Sequence, residues 1–255
     1  MLSPVQSIEF FHLSFLRMME ARVDRSTYVV KGGVNLRAWF GSLRYSEDLD
    51  IDAIAGTPHE LREKVDAILA GAPFGGLLRT QALRMARISK PKQTEVTQRW
   101  KVELAADSLA LPVHTKIEFS RRGSNDASAL EPVRREVVSP YQMAAPTANH
   151  YTASAAASQK LRALAGRREP QARDIWDLEH LFRTADVQLL PLSDALRETL
   201  PRAFDRLTEV SFDEFRAQVV PYLDPDHQEL YETKAAWTGI VELVGSRLLE
   251  LESGT

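Results

Sequence analysis

The sequence predicts an α+β protein in which a region of strands and helices precedes a helical C-terminal domain. Up to Pro140 the chain contains a short β-branched and aromatic run at 28–30 and extended segments near 77–89, 95–106 and 112–120. Beyond Pro140 the apolar residues follow a helical period, in segments near 140–146, 150–166, 171–185, 191–207, 211–220 and 226–251. We therefore expect two domains, residues 1–140 and 141–255.

Composition limits the class of protein. The 255 residues are 44% hydrophobic and 26% charged, as is usual for a globular protein that buries a substantial core. Cysteine is absent, which excludes disulfides and thiolate metal sites. The sequence shows neither a secretory leader nor a run of roughly 18 apolar residues, so we expect a cytoplasmic protein with no membrane partner.

The net charge of −3 averages over two regions of opposite sign. Residues 79–101 hold seven basic side chains and one acidic side chain, whereas residues 186–255 hold fourteen acidic and six basic ones. A basic segment of this kind can bind a phosphate backbone, or it can be a solvated hairpin on a protein whose acidic helices lie elsewhere. Composition leaves both interpretations open.

A glycine turn between a strand and a helix predicts a phosphate site. A short apolar strand at 28–30 is interrupted by Lys31, Gly32 and Gly33, and a helix-like pattern follows over 34–40. Such a turn directs backbone N–H groups and the positive end of the helix dipole to one spot. We expect Gly32 and Gly33 to let the backbone approach a triphosphate, a contact that a side chain would block.

An acidic strand comes next. Asp48, Asp50 and Asp52 alternate with Leu49 and Ile51, so the three carboxylates share one face of the strand. Two carboxylates two residues apart can hold a divalent cation between them. Asp48 with Asp50 and Asp50 with Asp52 have the same geometry, and the spacing alone does not choose between them.

Three further polar residues complete the candidate site. Lys31 is either a phosphate contact or a solvent-facing strand end, and Ser46 either binds phosphate or caps the turn before the acidic strand. Chemistry with two metal ions requires a third carboxylate from a neighbouring strand. Glu118, on the polar face of the segment near 112–120, is the best candidate; the alternative is an exposed glutamate paired with a neighbouring basic residue.

The order of glycine turn, short helix and Asp-x-Asp strand resembles the DNA polymerase β-like nucleotidyltransferases. The particular residues are similar to those of the AbiEii/AbiGii-type (MenT-like) toxin branch: Lys31, Gly32, Gly33, Arg44, Ser46, Glu47, Asp48, Leu49 and Asp50. The resemblance covers residues 28–180. It selects Asp48 and Asp50 as the metal pair and matches the family's later strand acid to Glu118.

A second group of residues matches the same family. The resemblance places a catalytic lysine at Lys160 and matches the family's Arg-Asp-x-x-Asp-Leu stretch to Arg173, Asp174 and Asp177. The last three can share one helical face, because they are three and four residues apart. A basic group there would hold the triphosphate, with Asp177 orienting Lys160 or Arg173. The alternative is a salt bridge on a solvated face.

The resemblance implies a metal-dependent nucleotidyltransferase with a nucleotidyltransferase-type mixed sheet flanked by helices, and with the helical C-terminal domain closing the nucleotide cleft. The implied reaction moves a nucleoside monophosphate from a nucleoside triphosphate to an acceptor hydroxyl. It would use Mg²⁺ or Mn²⁺ on Asp48, Asp50 and Glu118. The family also implies the toxin of a toxin–antitoxin (phage-defence type) system, a tRNA 3′ end as acceptor and a cognate antitoxin.

Two alternatives stay open at this stage. The same site could transfer the nucleotide to a small molecule or a protein side chain, which the net negative charge favours and the basic segment opposes. A nucleotide-binding module without turnover is a different class of function, although such a module needs no set of three metal ligands. The sequence does not identify the nucleotide, the acceptor, the antitoxin or the oligomeric state.

Overall fold

The structure is a computed structural model that describes residues 1–122, 126–184 and 193–253. The chain forms two units. One, here the sheet unit, comprises Met1–Gly41 and Tyr45–Tyr151; the other, the helical unit, comprises Ser42–Arg44 and Thr152–Thr255. The division falls after Tyr151 rather than at Pro140, because the last strand of the sheet lies beyond Pro140.

Seven strands of the described chain form a single mixed sheet in the order β3-β4-β5-β2-β1-β7-β6. Their bounds are β1 Tyr28–Lys31, β2 Asp48–Ala53, β3 Arg84–Gln93, β4 Thr97–Ala105, β5 Val113–Ser120, β6 Ser128–Pro132 and β7 Thr147–Tyr151. β2 pairs antiparallel with β1 and parallel with β5, while β7 pairs parallel with β1. The predicted α+β class, with a mixed sheet flanked by helices, is confirmed.

Helices of the sheet unit include α1 (Pro4–Arg22), α2 (Gly32–Phe40), α3 (Pro58–Leu69), α4 (Ala72–Arg79) and α5 (Arg135–Val138). The helical unit contains α6 (Ala153–Gly166), α7 (Ala172–Thr184), α8 (Asp194–Arg197), α9 (Leu200–Leu207), α10 (Phe212–Gln218), α11 (Pro225–Tyr231) and α12 (Lys234–Ser253). Residues 185, 191 and 192 of the predicted helices lie outside the described residues. No described helix has the length and apolarity that a membrane crossing requires.

The sheet has one apolar face and one polar face, as alternation along β4 makes clear. Trp100, Val102 and Leu104 are buried in the core, and the indole of Trp100 donates to Asp66 on α3 at 2.8 Å. The residues that alternate with them, including Arg99 and Lys101, point to the opposite face. The acidic residues of β2 and β5 lie on that polar face.

Candidate functional site

The turn from β1 into α2 brings the helix N-terminus against Asp50. Gly32 opens the helix with φ +69, a left-handed conformation that favours glycine. A Cβ atom at Gly32 would lie 3.3 Å from the Asp50 Oδ2 atom, so the contact has little room for a side chain. Lys31 is the N-cap residue but contributes no side-chain hydrogen bond to the helix. The first-turn N–H groups are therefore available to another acceptor.

Strand register places the three predicted carboxylates side by side. Asp50 on β2 is the direct partner of Glu118 on the parallel strand β5, and Asp48 is two residues from Asp50 on the same face. Neighbouring strands lie about 4.8 Å apart, so these groups form one acidic cluster beside Gly32. On its other side, Asp50 is the register partner of Lys31 on β1.

The three carboxylates differ in their partners. Lys116 Nζ lies 2.7 Å from Asp48 Oδ2, and Arg99 Nε lies 2.6 Å from Glu118 Oε2. The Asp50 carboxylate makes no direct hydrogen bond or ion pair to any residue in the described part of the chain. The outer two acids are thus neutralised by cations, and the central acid is not.

The environment of Asp50 opposes its ionisation. Burial is the largest influence and raises the pKa of Asp50 above its usual range. Asp48 and Glu118 act in the same direction, while Lys116 and Lys31 act against it. Additional positive charge beside Asp50 would therefore stabilise its ionised carboxylate.

The donor chemistry and the register of this acidic cluster fit a divalent cation, but the side chains as placed do not enclose one. Among the described residues, no group of three or more histidine, aspartate or glutamate side chains is arranged to hold a metal ion. In the structure Asp48 pairs with Lys116, and Glu118 pairs with Arg99. A bound cation would take over the role of these two basic side chains.

Asp52 and Lys31 form a separate pair. Lys31 Nζ lies 2.5 Å from Asp52 Oδ1, and the Tyr151 hydroxyl donates to Asp52 Oδ2 at 2.8 Å. Asp52 is buried and fully satisfied by protein groups, unlike Asp50. Ser46 Oγ donates to the Asp48 main-chain oxygen at 2.8 Å, which is the turn-capping arrangement of its two predicted roles.

A buried polar chain fixes the start of β2. Thr115 Oγ1 donates to the Glu47 main-chain oxygen at 2.7 Å and lies 2.7 Å from His12 Nε2. The single Thr115 hydroxyl proton points to Glu47, so His12 must donate through Nε2. Burial lowers the pKa of His12 to about 3, which keeps the imidazole neutral. This chain holds the residue before Asp48 in place.

The helical unit contains a second charge cluster, here the buried network, centred on Asp174 and Asp177 of α7. Lys160 Nζ on α6 lies 2.9 Å from Asp174 Oδ1 and 2.6 Å from Asp177 Oδ2. Arg44 binds both oxygens of Asp177 through its Nη2 atom at 3.1 Å, and Arg167 Nε lies 2.7 Å from Asp174 Oδ2. Both aspartates are completely buried.

Ion pairing outweighs burial in setting the pKa values of Asp177 and Lys160 in the buried network. Burial disfavours the charged form of Asp177, but Arg44 and Lys160 outweigh it and hold the pKa of Asp177 below its usual range. Burial likewise opposes the charged form of Lys160, and Asp177 and Asp174 together raise the pKa of Lys160. Asp177 and Lys160 are therefore both charged at neutral pH.

Sequence reasoning placed the acidic residues of this network but missed the role of Arg44. Arg44 and Asp177 are 133 residues apart, and no local spacing connects them. The alternative of a solvated salt bridge does not describe Asp174 or Asp177, because both are buried. Arg173, the adjacent residue on α7, is partly buried.

The fold of the chain is that of known nucleotidyltransferase structures. MenT4, a nucleotidyltransferase toxin from Mycobacterium tuberculosis, is similar with a TM-score of 0.60 and 21% identity, over 98% of this chain and 84% of that chain. JHP933 from Helicobacter pylori is similar with a TM-score of 0.58 and 16% identity, over 100% and 97%. A putative nucleotidyltransferase from H. pylori is similar with a TM-score of 0.56 and 16% identity, over 99% of both chains. At these identities the likeness concerns the fold.

The family is established by sequence. The profile of the nucleotidyl transferase AbiEii toxin family, of type IV toxin–antitoxin systems, matches residues 14–236. The chain therefore belongs to the AbiEii family and is a nucleotidyltransferase toxin, which confirms the predicted family and enzyme class. Membership implies a nucleoside triphosphate substrate and a cognate antitoxin. A comparison with curated protein sequences gave no match.

Proposed function

We propose that this protein transfers a nucleoside monophosphate from a nucleoside triphosphate to the 3′-terminal hydroxyl of a tRNA, with Asp48, Asp50 and Glu118 as the ligands of Mg²⁺ or Mn²⁺. The observation that carries the proposal is the strand register that aligns these three acids beside the N-terminus of α2. The acceptor oxygen forms a bond to the α-phosphorus, the bond from that phosphorus to the bridging oxygen breaks, and pyrophosphate leaves. The acceptor hydroxyl releases its proton to water.

The sheet unit is suited to both substrates of this reaction. The first-turn N–H groups of α2, at Gly32 and Gly33, would bind the anionic triphosphate because they lack a side-chain cap. Ser46 caps the turn before β2, and Lys31 adds positive potential next to Asp50. A divalent cation at the carboxylates would activate the attacking hydroxyl and neutralise charge on the leaving pyrophosphate.

Binding of that cation involves two side chains that now pair with the carboxylates. Lys116 would release Asp48, and Arg99 would release Glu118, each becoming free to bind a phosphate oxygen. Both ion pairs are partly exposed, so their separation costs about 0–1 kcal/mol each. This cost is small compared with the several kcal/mol that a metal ion contributes to such a transition state.

In the helical unit we propose Lys160 and Asp177 as catalytic residues and Arg173 with Asp174 as part of the nucleotide site. The 2.6 Å ion pair supports a role for Asp177 in orienting Lys160. The ammonium group of Lys160 also contacts Asp174, which is in turn held by Arg167. A lysine fixed in this way keeps its charge and its position, as triphosphate binding requires.

The family supplies the biological setting of the proposal. A toxin that adds nucleotides to tRNA would block translation in the cytoplasm until its antitoxin intervenes. The basic segment at residues 79–101 favours a nucleic-acid acceptor over a small molecule or a protein side chain. Membership of a nucleotidyltransferase family opposes the idea of a binding module without turnover.

The experiment is an incubation of the purified protein with each nucleoside triphosphate labelled at the α-phosphate, Mg²⁺ and total tRNA, followed by a denaturing gel. We expect label on tRNA from one or a few nucleotides. Label on the protein itself would move the acceptor to a side chain. Absence of label on any RNA, from protein that binds nucleotide, would overturn the tRNA proposal.

A further inference from the structure

The polar face of the sheet does not end at the carboxylates. Register continues the Asp48 row across three more strands: Asp48 is the partner of Lys116 on β5, which is the partner of Lys101 on β4, which is the partner of Ser89 on β3. The next row contains Arg87 opposite Glu103. β3 and β4 thus extend the surface on which the chemistry is proposed.

A groove of about 470 Å³ runs over this part of the sheet. Its lining joins Asp48 and Lys116 of the proposed site to Arg87, Lys101 and His114. Glu47 and Glu103 also line it, so its charge is mixed: Glu47 directly precedes Asp48, and Glu103 lies opposite Arg87. Its volume is within the usual range for ligand sites.

Three exposed cations of this surface have no partner among the described residues. Arg87, Lys92 and Lys101, here the cationic strip, are exposed and form no ion pair within the described chain. Lys101 lies directly opposite Lys116, an arrangement of like charges that destabilises a sheet. Lys92 lies opposite Arg99 in the same way. An anionic ligand would offset both repulsions.

Lys90 lies in the same strand but has a different environment. Its Nζ atom is 2.6 Å from Asp66 Oδ2, and the same Asp66 side chain accepts the indole N–H of Trp100 on the apolar face of the sheet. Lys90 is therefore directed away from the cationic strip. It provides a matched control of the same charge on the same strand.

We propose that the cationic strip binds the phosphates of the RNA acceptor strand and leads its 3′ end to Asp48, Asp50 and Glu118. This inference rests on the proposed function. From β2 to β3 the surface spans three strand spacings, roughly 14 Å, which suits successive phosphates of a strand better than one triphosphate. The α2 N-terminus already provides for the triphosphate at the other side of Asp50.

The test is binding of a labelled RNA hairpin with a single-stranded 3′ end, measured by fluorescence anisotropy over a range of salt concentrations. We expect Lys101→Ala and Arg87→Ala each to weaken binding roughly tenfold, the loss of one charge-assisted hydrogen bond. Each should also reduce the salt slope by roughly 0.7, the value for one phosphate of a single strand. Lys90→Ala should leave affinity and slope unchanged.

Two further measurements separate this inference from its alternatives. Affinity for a fluorescent nucleoside triphosphate should be the same in Lys101→Ala and the unmodified protein; a parallel loss would assign the strip to the triphosphate and overturn the inference. Unchanged RNA binding with weakened antitoxin binding would assign the strip to the antitoxin and overturn it as well.

Nucleotide transfer to tRNA tests the proposed function separately from this inference. If the unmodified protein labels tRNA and the strip variants do so with unchanged KM for tRNA, the groove inference fails while the function stands. If the unmodified protein labels no RNA and does not bind the hairpin, both fail. We expect a raised KM for tRNA with kcat retained at saturating tRNA.

Discussion

Asp177 and Asp50 are both proposed site residues, but their surroundings are opposite. In the helical unit Asp177 is completely buried and contacts two cations, Arg44 and Lys160. In the sheet unit Asp50 is only partly buried and has no direct cationic partner among the described residues, while its neighbours Asp48 and Glu118 have one each. The charge of Asp177 is balanced by cations of the protein itself. The charge of Asp50 would be balanced by a positively charged ligand.

The difference separates groups that hold the structure from groups that are ready for a substrate. Buried ion pairs are strongly destabilised when one partner is removed, because the remaining charge is left without compensation. Partly exposed pairs contribute little to stability and rearrange at small cost. We therefore expect substitutions in the buried network to affect folding as well as activity, and substitutions at the carboxylates of the sheet to affect activity without affecting folding.

The largest expected effect on stability is that of Asp177→Asn. The change leaves Arg44 and Lys160 as buried cations with less compensation, and we expect the free energy of unfolding to fall by about 3–5 kcal/mol. Urea denaturation followed by circular dichroism measures it. Asp213→Asn on α10, an exposed acid paired with Arg216, is a control of the same chemistry that should change stability by less than about 1 kcal/mol.

A smaller effect is expected for Arg44→Lys. Lysine keeps the charge but cannot bind both oxygens of Asp177 as Arg44 does. We expect the free energy of unfolding, measured by the same denaturation experiment, to fall by about 1–3 kcal/mol, the usual contribution of charge-assisted hydrogen bonds. A stability equal to that of the unmodified protein would show that the two-oxygen contact is unimportant.

The buried network also predicts the pH dependence of stability. Asp177 has a lowered pKa in the folded protein, so its contribution is complete above the unfolded value of about 3.9 and is lost as the pH falls through the folded pKa. Lys160 has a raised pKa, so its contribution is complete below about 10.4 and is lost as the pH rises through the folded pKa. Thermal unfolding from acid to alkaline pH should show a plateau between these limits. Asp177→Asn should have a shallower acid limb.

The smallest effect on stability is expected for Lys116→Met. The ion pair between Lys116 and Asp48 is partly exposed, so its loss should change the free energy of unfolding by less than about 1 kcal/mol. A loss as large as that of Asp177→Asn would remove the distinction between the two clusters.

Much of this arrangement follows from local sequence. Alternation in the acidic strand placed Asp48 and Asp50 on one face, and the Gly32-Gly33 pair predicted the junction between strand and helix at which α2 begins. The pairing of Glu118 with Asp50 depends on β5 lying beside β2, which no local pattern specifies. The role of Glu118 came instead from its polar strand face and from the family resemblance.

What local sequence did not reveal depends on contacts over long distances. Only the structure gives a physical reason to choose Asp48 over Asp52 as the metal ligand beside Asp50, because Lys31 and Tyr151 already satisfy Asp52. The structure divides the chain after Tyr151 rather than at Pro140, because β7 pairs with β1, which is far away in sequence. The burial of Asp174 could not be predicted either, because a charged residue on a helix normally faces solvent.

The most direct test of the central claim compares nucleotide transfer by Asp50→Asn and by the unmodified protein, with thermal unfolding as the control for folding. Asparagine keeps the size of the side chain and removes the charge that would bind the cation. We predict a loss of transfer of roughly a thousandfold, corresponding to about 4 kcal/mol of transition-state stabilisation, at an unfolding temperature no lower than that of the unmodified protein. Transfer within a few fold of the unmodified rate would contradict the assignment of the chemistry to this face of the sheet.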